Sequence, residues 1–95
     1  MDSTAKIREL NDALRTLTGE GRIFFTVGIQ ALPPQEQAEI MDRVFAYSDF
    51  TPDNDPHGEH DFGCFEYADK TIFWKIDNLF GTPERDLTVM LEEEY

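Results

Sequence analysis

Asp-Phe-Gly-Cys-Phe-Glu-Tyr-Ala-Asp-Lys-Thr-Ile-Phe-Trp-Lys-Ile-Asp-Asn, residues 61–78, is the stretch that decides the fold of this 95-residue chain. Residues 61–67 and 71–78 are rich in β-branched and aromatic side chains, and the polar run between them is short enough for a tight turn. Three apolar side chains recur at every second position of the later segment: Ile72, Trp74 and Ile76. This alternation predicts an antiparallel hairpin that buries one face.

The segments on either side of the hairpin predict two helices. Residues 4–17 carry apolar side chains at three- and four-residue spacing, namely Ile7, Leu10, Leu14 and Leu17. Pro33-Pro34 can open a second helix because proline is tolerated in the first turn, and Ile40 and Val44 lie on one side of it. Gly28 to Leu32 is predicted to be a connector.

Two further strands complete the predicted sheet. Residues 22–27 are β-branched and aromatic, with Ile23, Phe25 and Val27 on one face. Residues 86–91 alternate in the same way, although the glutamates that follow leave a C-terminal helix open as an alternative. The expected fold is therefore a single domain, residues 1–95, of the α+β class: two layers, with an antiparallel sheet of about four strands and two helices.

Charge is the strongest global property of the chain. Its net charge of −12 argues against direct binding of nucleic acid or of an anionic membrane, because both need Lys and Arg. Seven carboxylates and no Lys or Arg lie between Arg43 and Lys70. Pro and Gly interrupt residues 49–60, so we expect a loop there. A basic protein surface, a metal ion or solvent cations can balance this charge, and the acidity can also serve solubility alone.

Enzymatic and metal-binding readings rest on the same loop. Asp53 to Asp61 resembles the opening of a calcium loop with Gly58 at the sixth place, but the twelfth place is Cys64 instead of Glu. A metal site or hydrolase centred on Glu59, His60 and Asp61 is the alternative. The sequence contains no phosphate loop or nucleophile elbow, so no catalytic residue, metal ligand or cofactor is assigned. Cys64 is predicted to be a small core residue.

Four segments together resemble an uncharacterised family of small proteins that are frequent on plasmids, prophages and other mobile elements of proteobacteria. These segments are 7–15, 49–63, 73–77 and 87–95, and the most specific is the block Asp-Asn-Asp-Pro-x-Gly-Glu-His-Asp-Phe-Gly. His57 stands where members often have Tyr. Small acidic mobile-element proteins without a catalytic motif are often anti-restriction or anti-CRISPR inhibitors of host defence, so the resemblance implies such a role.

The expected function is therefore binding to the basic, nucleic-acid-binding surface of a CRISPR effector or restriction enzyme, with carboxylates in place of phosphates. The carboxylates expected to contact the partner are Asp49, Asp53, Asp55, Glu59, Asp61, Glu92, Glu93 and Glu94. A non-catalytic regulatory module is a further alternative. The single cysteine and the absence of an apolar segment after Met1 predict a cytoplasmic protein.

Overall fold

A computed structural model describes residues 3–78 and 84–95 of the chain. Within them lie three α-helices, four strands and a final 3-10 turn. The elements are α1 Ser3–Arg15, β1 Arg22–Phe25, α2 Val27–Gln30, α3 Pro34–Phe45, β2 Phe62–Tyr67, β3 Lys70–Asn78, β4 Arg85–Leu91 and the turn Glu92–Glu94. The predicted α+β class, both long helices and all four strands are confirmed. The predicted connector after β1 contains the short helix α2, which begins at Val27 and shortens the strand.

The four strands form one sheet in the order β1-β4-β3-β2. β2 pairs with β3, and β3 with β4, in the antiparallel sense that the hairpin pattern predicts. β1 pairs with β4 in parallel, through the register Arg22 with Asp86 to Phe25 with Val89. Because β1 and β4 lie far apart in the sequence, no hairpin constrains their direction, and local alternation cannot reveal it.

The core lies between the sheet and the helices. Trp74 and Leu87 are fully buried on the sheet face, against Ile40 and Val44 of α3. Burying each such side chain contributes roughly 1.5–3 kcal/mol before entropy is counted. The predicted apolar stripe of α1 is only partly right, because Leu10 and Leu17 are 38% and 57% exposed. Asn11 and Arg15 of that helix are buried instead.

The β2 strand places a glycine against the central tryptophan. A Cβ atom at Gly63 would lie only 2.5 Å from the Nε1 atom of Trp74, so glycine allows the indole to pack on the backbone. Gly63 and Phe65 take positions on the core face, and Cys64 therefore falls on the opposite face. The prediction that Cys64 is a buried core residue is wrong: its side chain is exposed.

Candidate functional site

The acidic loop, which we define as Asp49–Asp61, connects α3 to β2 and is ordered by its own polar groups. The backbone N–H of Thr51 donates to Asn54 Oδ1 at 2.9 Å, and Asn54 Nδ2 donates to the Asp49 carbonyl at 2.9 Å. Gly58 adopts a φ of 66°, in the left-handed region that favours glycine. Asn54 therefore binds backbone groups on both sides of Phe50, and the loop has a defined shape.

Polar side chains of α1 bind the far half of the acidic loop. Arg8 Nη1 donates to the carbonyl of Gly58 at 3.1 Å, and Asn11 Nδ2 donates to that of Glu59 at 3.0 Å. Asp12 Oδ1 lies 2.9 Å from the Nδ1 atom of His60. The three helix residues follow helical spacing and share one face of α1. The loop is thus fixed to a helix that is distant in sequence.

Arg15 of the same helix binds the segment that leads into the loop. Its Nη1 atom donates at 2.8–3.2 Å to three backbone carbonyls, those of Val44, Phe45 and Tyr47. Two of these are the last carbonyls of α3, which lack partners within the helix and favour a cation nearby. The guanidinium group also lies 5.4 Å from the centre of the Phe50 ring. One buried arginine therefore joins α1, the end of α3 and the loop.

His60 lies inside this arrangement. Its ring stacks on Phe50 with centroids 3.7 Å apart and an interplanar angle of 6°. Nδ1 pairs with Asp12, Nε2 lies 3.6 Å from Asp55 Oδ2, and the backbone N–H donates to Asp55 Oδ1 at 3.2 Å. His60 thus takes part in the loop's own hydrogen bonding. Asp55 was predicted to contact a partner, but its side chain is 7% exposed and faces His60.

The other predicted carboxylates of the loop are accessible. Asp49 and Asp53 are exposed, whereas Glu59 and Asp61 are half-buried beside a shallow cavity that Asn11 also lines. Within residues 3–78 and 84–95, no ion pair reaches Asp49 or Asp53. The nearby Arg8 and Arg15 of α1 donate to backbone carbonyls, so neither aspartate is paired with a cation of the described chain.

The C-terminal glutamates do not act as one patch. Glu92 and Glu93 are exposed, but the carboxylate of Glu94 turns inward. It accepts hydrogen bonds from the Thr26 hydroxyl at 2.5 Å and from the N–H groups of Gly28 and Leu91 at 2.9 Å. Burial alone would raise the pKa of Glu94, but these three hydrogen bonds outweigh it and lower the pKa. Glu94 therefore binds the start of α2, whereas Glu92 and Glu93 remain exposed.

The acidic loop and the exposed C-terminal glutamates lie on different parts of the surface. Glu92 and Glu93 line a depression beside the turn between β2 and β3. Asp61 lies at the other end of the hairpin, where its carbonyl accepts the N–H of Ile76 at 2.8 Å. Asp61 lies beside Ile76, and Leu91, which precedes Glu92, is paired with Ile72, so about 14 Å of β3 lies between these two points. The loop and the C-terminal pair are therefore neighbouring but distinct groups of carboxylates.

The metal and hydrolase alternative centres on Glu59, His60 and Asp61. The part of the chain that the structure describes holds no group of three or more His, Cys, Asp or Glu side chains that could bind a metal ion. His60 uses both ring nitrogens toward Asp12 and Asp55, and Glu59 contributes its carbonyl to Asn11.

The residues of α1 that hold the loop were missed by the sequence reasoning. Their signal is a second periodic stripe, polar instead of apolar, at the same three- and four-residue spacing. The stripe consists of Arg8, Asn11, Asp12 and Arg15. A charged stripe is normally solvated, so its burial is visible only once the loop is in place.

Comparison with known proteins gives one match. Residues 25–93 match a family described as "Protein of unknown function (DUF3768)", and this region contains α2, α3, the whole acidic loop and strands β2, β3 and β4. No curated protein and no solved structure matches the chain. Among the described residues, no helix has the length and apolar character to cross a membrane.

Proposed function

The chain belongs to the DUF3768 family of proteins of unknown function, and we propose that it is a non-catalytic binding protein that inhibits a host defence enzyme. Its acidic loop occupies the basic groove in which a CRISPR effector or restriction enzyme binds nucleic acid. The carboxylates replace phosphates there and accept charge-assisted hydrogen bonds from Arg and Lys of the groove.

The observation that carries this proposal is the ordered presentation of unneutralised carboxylates. Arg8 and Arg15 hold the backbone around the acidic loop through carbonyl groups, and neither is used to neutralise Asp49 or Asp53. A loop that is ordered before binding loses less conformational entropy on association than a flexible one. The two exposed aspartates are therefore in place to meet a cationic surface.

Overall charge and the sequence resemblance support the same proposal. A net charge of −12 accelerates encounter with a basic partner and rejects acidic ones. The resemblance to proteins of proteobacterial mobile elements supplies a setting in which inhibitors of restriction or CRISPR systems are common. Half-buried Glu59 and Asp61 extend the interacting surface from the two aspartates toward the start of β2.

The test is a binding series with purified CRISPR effector complexes and restriction enzymes, measured from 50 to 500 mM sodium chloride. We expect the double variant Asp49→Asn/Asp53→Asn to bind about tenfold more weakly than wild type at low salt. The difference should shrink at high salt, because screening weakens charge pairs that remain close to water. Nuclease activity of the bound enzyme, assayed in parallel, should fall with wild type and recover with the variant.

The matched control is Glu9→Gln/Glu20→Gln, which changes the net charge by the same amount at exposed positions away from the loop. It should lower affinity by no more than about twofold, since only long-range attraction is lost. Equal effects of the two double variants would remove the loop as the contact surface. Binding to no member of the panel would reject the inhibitor and leave the regulatory interaction module in its place.

A further inference from the structure

The two edge strands of the sheet, β2 and β1, differ in how far other elements cover them. Along β2, α3 covers the edge: Arg43 Nη2 donates to the Glu66 carbonyl at 3.3 Å and its guanidinium lies 4.8 Å from the Phe65 ring centre. The Tyr67 hydroxyl donates to Glu39 of the same helix. At the other edge, β1 has β4 as its one strand neighbour in the described sheet. An uncovered edge is a template for a further strand.

The register identifies which backbone groups line the β1 edge. The Thr26 N–H donates to the Val89 carbonyl at 3.1 Å, and Phe24 pairs with Thr88. The backbone N–H and C=O groups of the even-numbered residues of β1 therefore point toward β4. The N–H and C=O groups of Ile23 and Phe25 consequently point away from the sheet. The Phe25 carbonyl accepts from Gln30 Nε2 at 2.6 Å, so part of this edge is occupied by a side chain.

An apolar side chain marks the middle of this edge. Phe24 lies on the sheet face opposite the helices and is 44% exposed. Ile23 and Phe25 pack their side chains toward the core, so the strand is anchored on that face. In native proteins, charged residues, proline or a covering element usually protect an edge strand from pairing with another chain. In β1, by contrast, Phe24 places an apolar side chain at the centre of the strand.

We propose that β1 is a self-association surface on which a second copy of this chain pairs antiparallel, centred on Phe24. In that register Ile23 of one copy lies opposite Phe25 of the other with their outward backbone groups facing, and pairing replaces Gln30 Nε2 at the Phe25 carbonyl. Phe24 faces Phe24 at the centre, in a position where the side chains of paired strands approach most closely. The sheet becomes continuous across eight strands.

Charge complementarity identifies the occupant as a second copy. The register places Arg22 opposite Thr26 of the second copy, and the Thr26 hydroxyl holds the carboxylate of Glu94. The Arg22 side chain is 60% exposed and lies 2.9 Å from Asp86 in an ion pair at the surface. Twofold symmetry brings each Arg22 beside the Glu94 of the other copy. An unrelated strand would need to supply the same carboxylate at this register position.

Net charge opposes this association, which determines the conditions of the test. Two chains of −12 repel each other over long range, and about 0.5 M salt screens that repulsion to a few ångströms. The dimer should therefore strengthen as salt rises. The proposed binding of a basic partner should weaken with salt, so the two proposals can fail independently.

The first experiment is sedimentation equilibrium of the full chain at 0.5 M sodium chloride. The apparent mass of the wild type should rise toward twice the monomer mass as the protein concentration rises. Phe24→Lys should raise the dimer dissociation constant at least tenfold, because two lysines would meet at the centre of the strand pair. The control is Phe45→Lys, a phenylalanine of matched exposure, 43%, on α3. A monomer at every concentration, or equal loss in both variants, overturns the proposal.

The second experiment reads the register directly, in a Cys64→Ser background that removes the exposed thiol. Phe24→Cys should form a disulfide-linked dimer under mild oxidation, because facing residues in such a strand pair lie about 4.5 Å apart at Cα. Arg22→Cys should not, because the register separates the two Arg22 positions by about 13 Å. Equal cross-linking of both variants, or of neither, overturns the antiparallel register.

Discussion

At the residue scale, neighbouring carboxylates of the same type have different roles because they meet different donors. Asp53 is exposed, yet Asp55 two positions later faces His60 inside the loop. Glu93 points to solvent, whereas the adjacent Glu94 accepts three hydrogen bonds at the start of α2. The identity of a residue in an acidic run therefore does not tell whether its carboxylate is free to bind a partner or has a structural role. That role depends on the N–H and O–H groups that surround the carboxylate.

Glu94→Gln should lower the free energy of unfolding by about 1 kcal/mol at pH 7, because it removes the charge that strengthens three hydrogen bonds. The pKa of Glu94 is lowered in the folded protein, so its contribution is complete above the unfolded value, near 4.5. It disappears as the pH falls through the folded pKa. Urea denaturation at pH 7 and at successively lower pH should therefore show the two proteins converging in acid.

The control for this prediction is Glu93→Gln, which alters the adjacent exposed carboxylate. It should change the free energy of unfolding by no more than about 0.5 kcal/mol, as surface substitutions generally do. A difference between wild type and Glu94→Gln that stays constant across the acid range would contradict the lowered pKa.

At the scale of elements, α1 carries two stripes with different tasks. Leu14 is 2% exposed and joins the core, while Arg8, Asn11 and Arg15 bind backbone groups of the chain that surrounds the acidic loop. The loop contains prolines and lacks regular hydrogen bonding, so it depends on this helix for its position. Stability of the loop and stability of α1 packing are consequently linked.

Arg15→Lys should reduce the free energy of unfolding by about 2 kcal/mol. Lysine keeps the charge, but its single ammonium group cannot reproduce a planar guanidinium that lies near the Phe50 and Trp74 rings while donating to three carbonyls. Urea denaturation monitored by Trp74 fluorescence gives the change. Because the loop loses its near anchor, Asp49 and Asp53 should also bind the proposed partner more weakly.

A matched arginine provides the control for that substitution. Arg43 donates one hydrogen bond, to the Glu66 carbonyl, in an exposed setting. Arg43→Lys should cost about 0.5 kcal/mol, since exposed polar contacts contribute little. If both substitutions cost the same, the three carbonyl contacts of Arg15 add nothing specific.

At the scale of the whole molecule, the acidity is spread over an elongated body of 44 × 27 × 22 Å. Twelve net charges along the longest axis correspond to one per roughly 3.7 Å, about half the linear density of duplex DNA. The elongated shape thus gives a lower linear charge density than a spherical protein with the same number of residues would have. Repulsion remains large enough to act on stability.

The free energy of unfolding should rise by about 1 kcal/mol between 20 and 500 mM sodium chloride, because screening relieves repulsion within the compact state more than in the expanded one. Urea denaturation at each salt concentration measures the trend, and chloride avoids the surface exclusion that sulfate adds. Glu9→Gln/Glu20→Gln should flatten the slope. Stability that falls as salt is added would show that specific ion pairs outweigh the repulsion.

Much of this fold follows from local pattern, because periodicity reports directly which face of an element is buried. The alternation around Trp74, the Pro33-Pro34 helix start and the broken acidic loop each specify their own element without reference to distant residues. The net charge and the candidate loop are likewise properties of the sequence alone. These features needed no knowledge of tertiary contacts.

Tertiary structure decided the rest, because each remaining question concerns partners that are distant in the chain. The parallel pairing of β1 with β4, the exposure of Cys64 and the inward turn of Asp55 and Glu94 depend on groups brought together by folding. Sequence determined how much acid this protein carries and on which segments. Only the packing of α1, α3 and the sheet determined which carboxylates stay free, since hydrogen-bond donors select them through space.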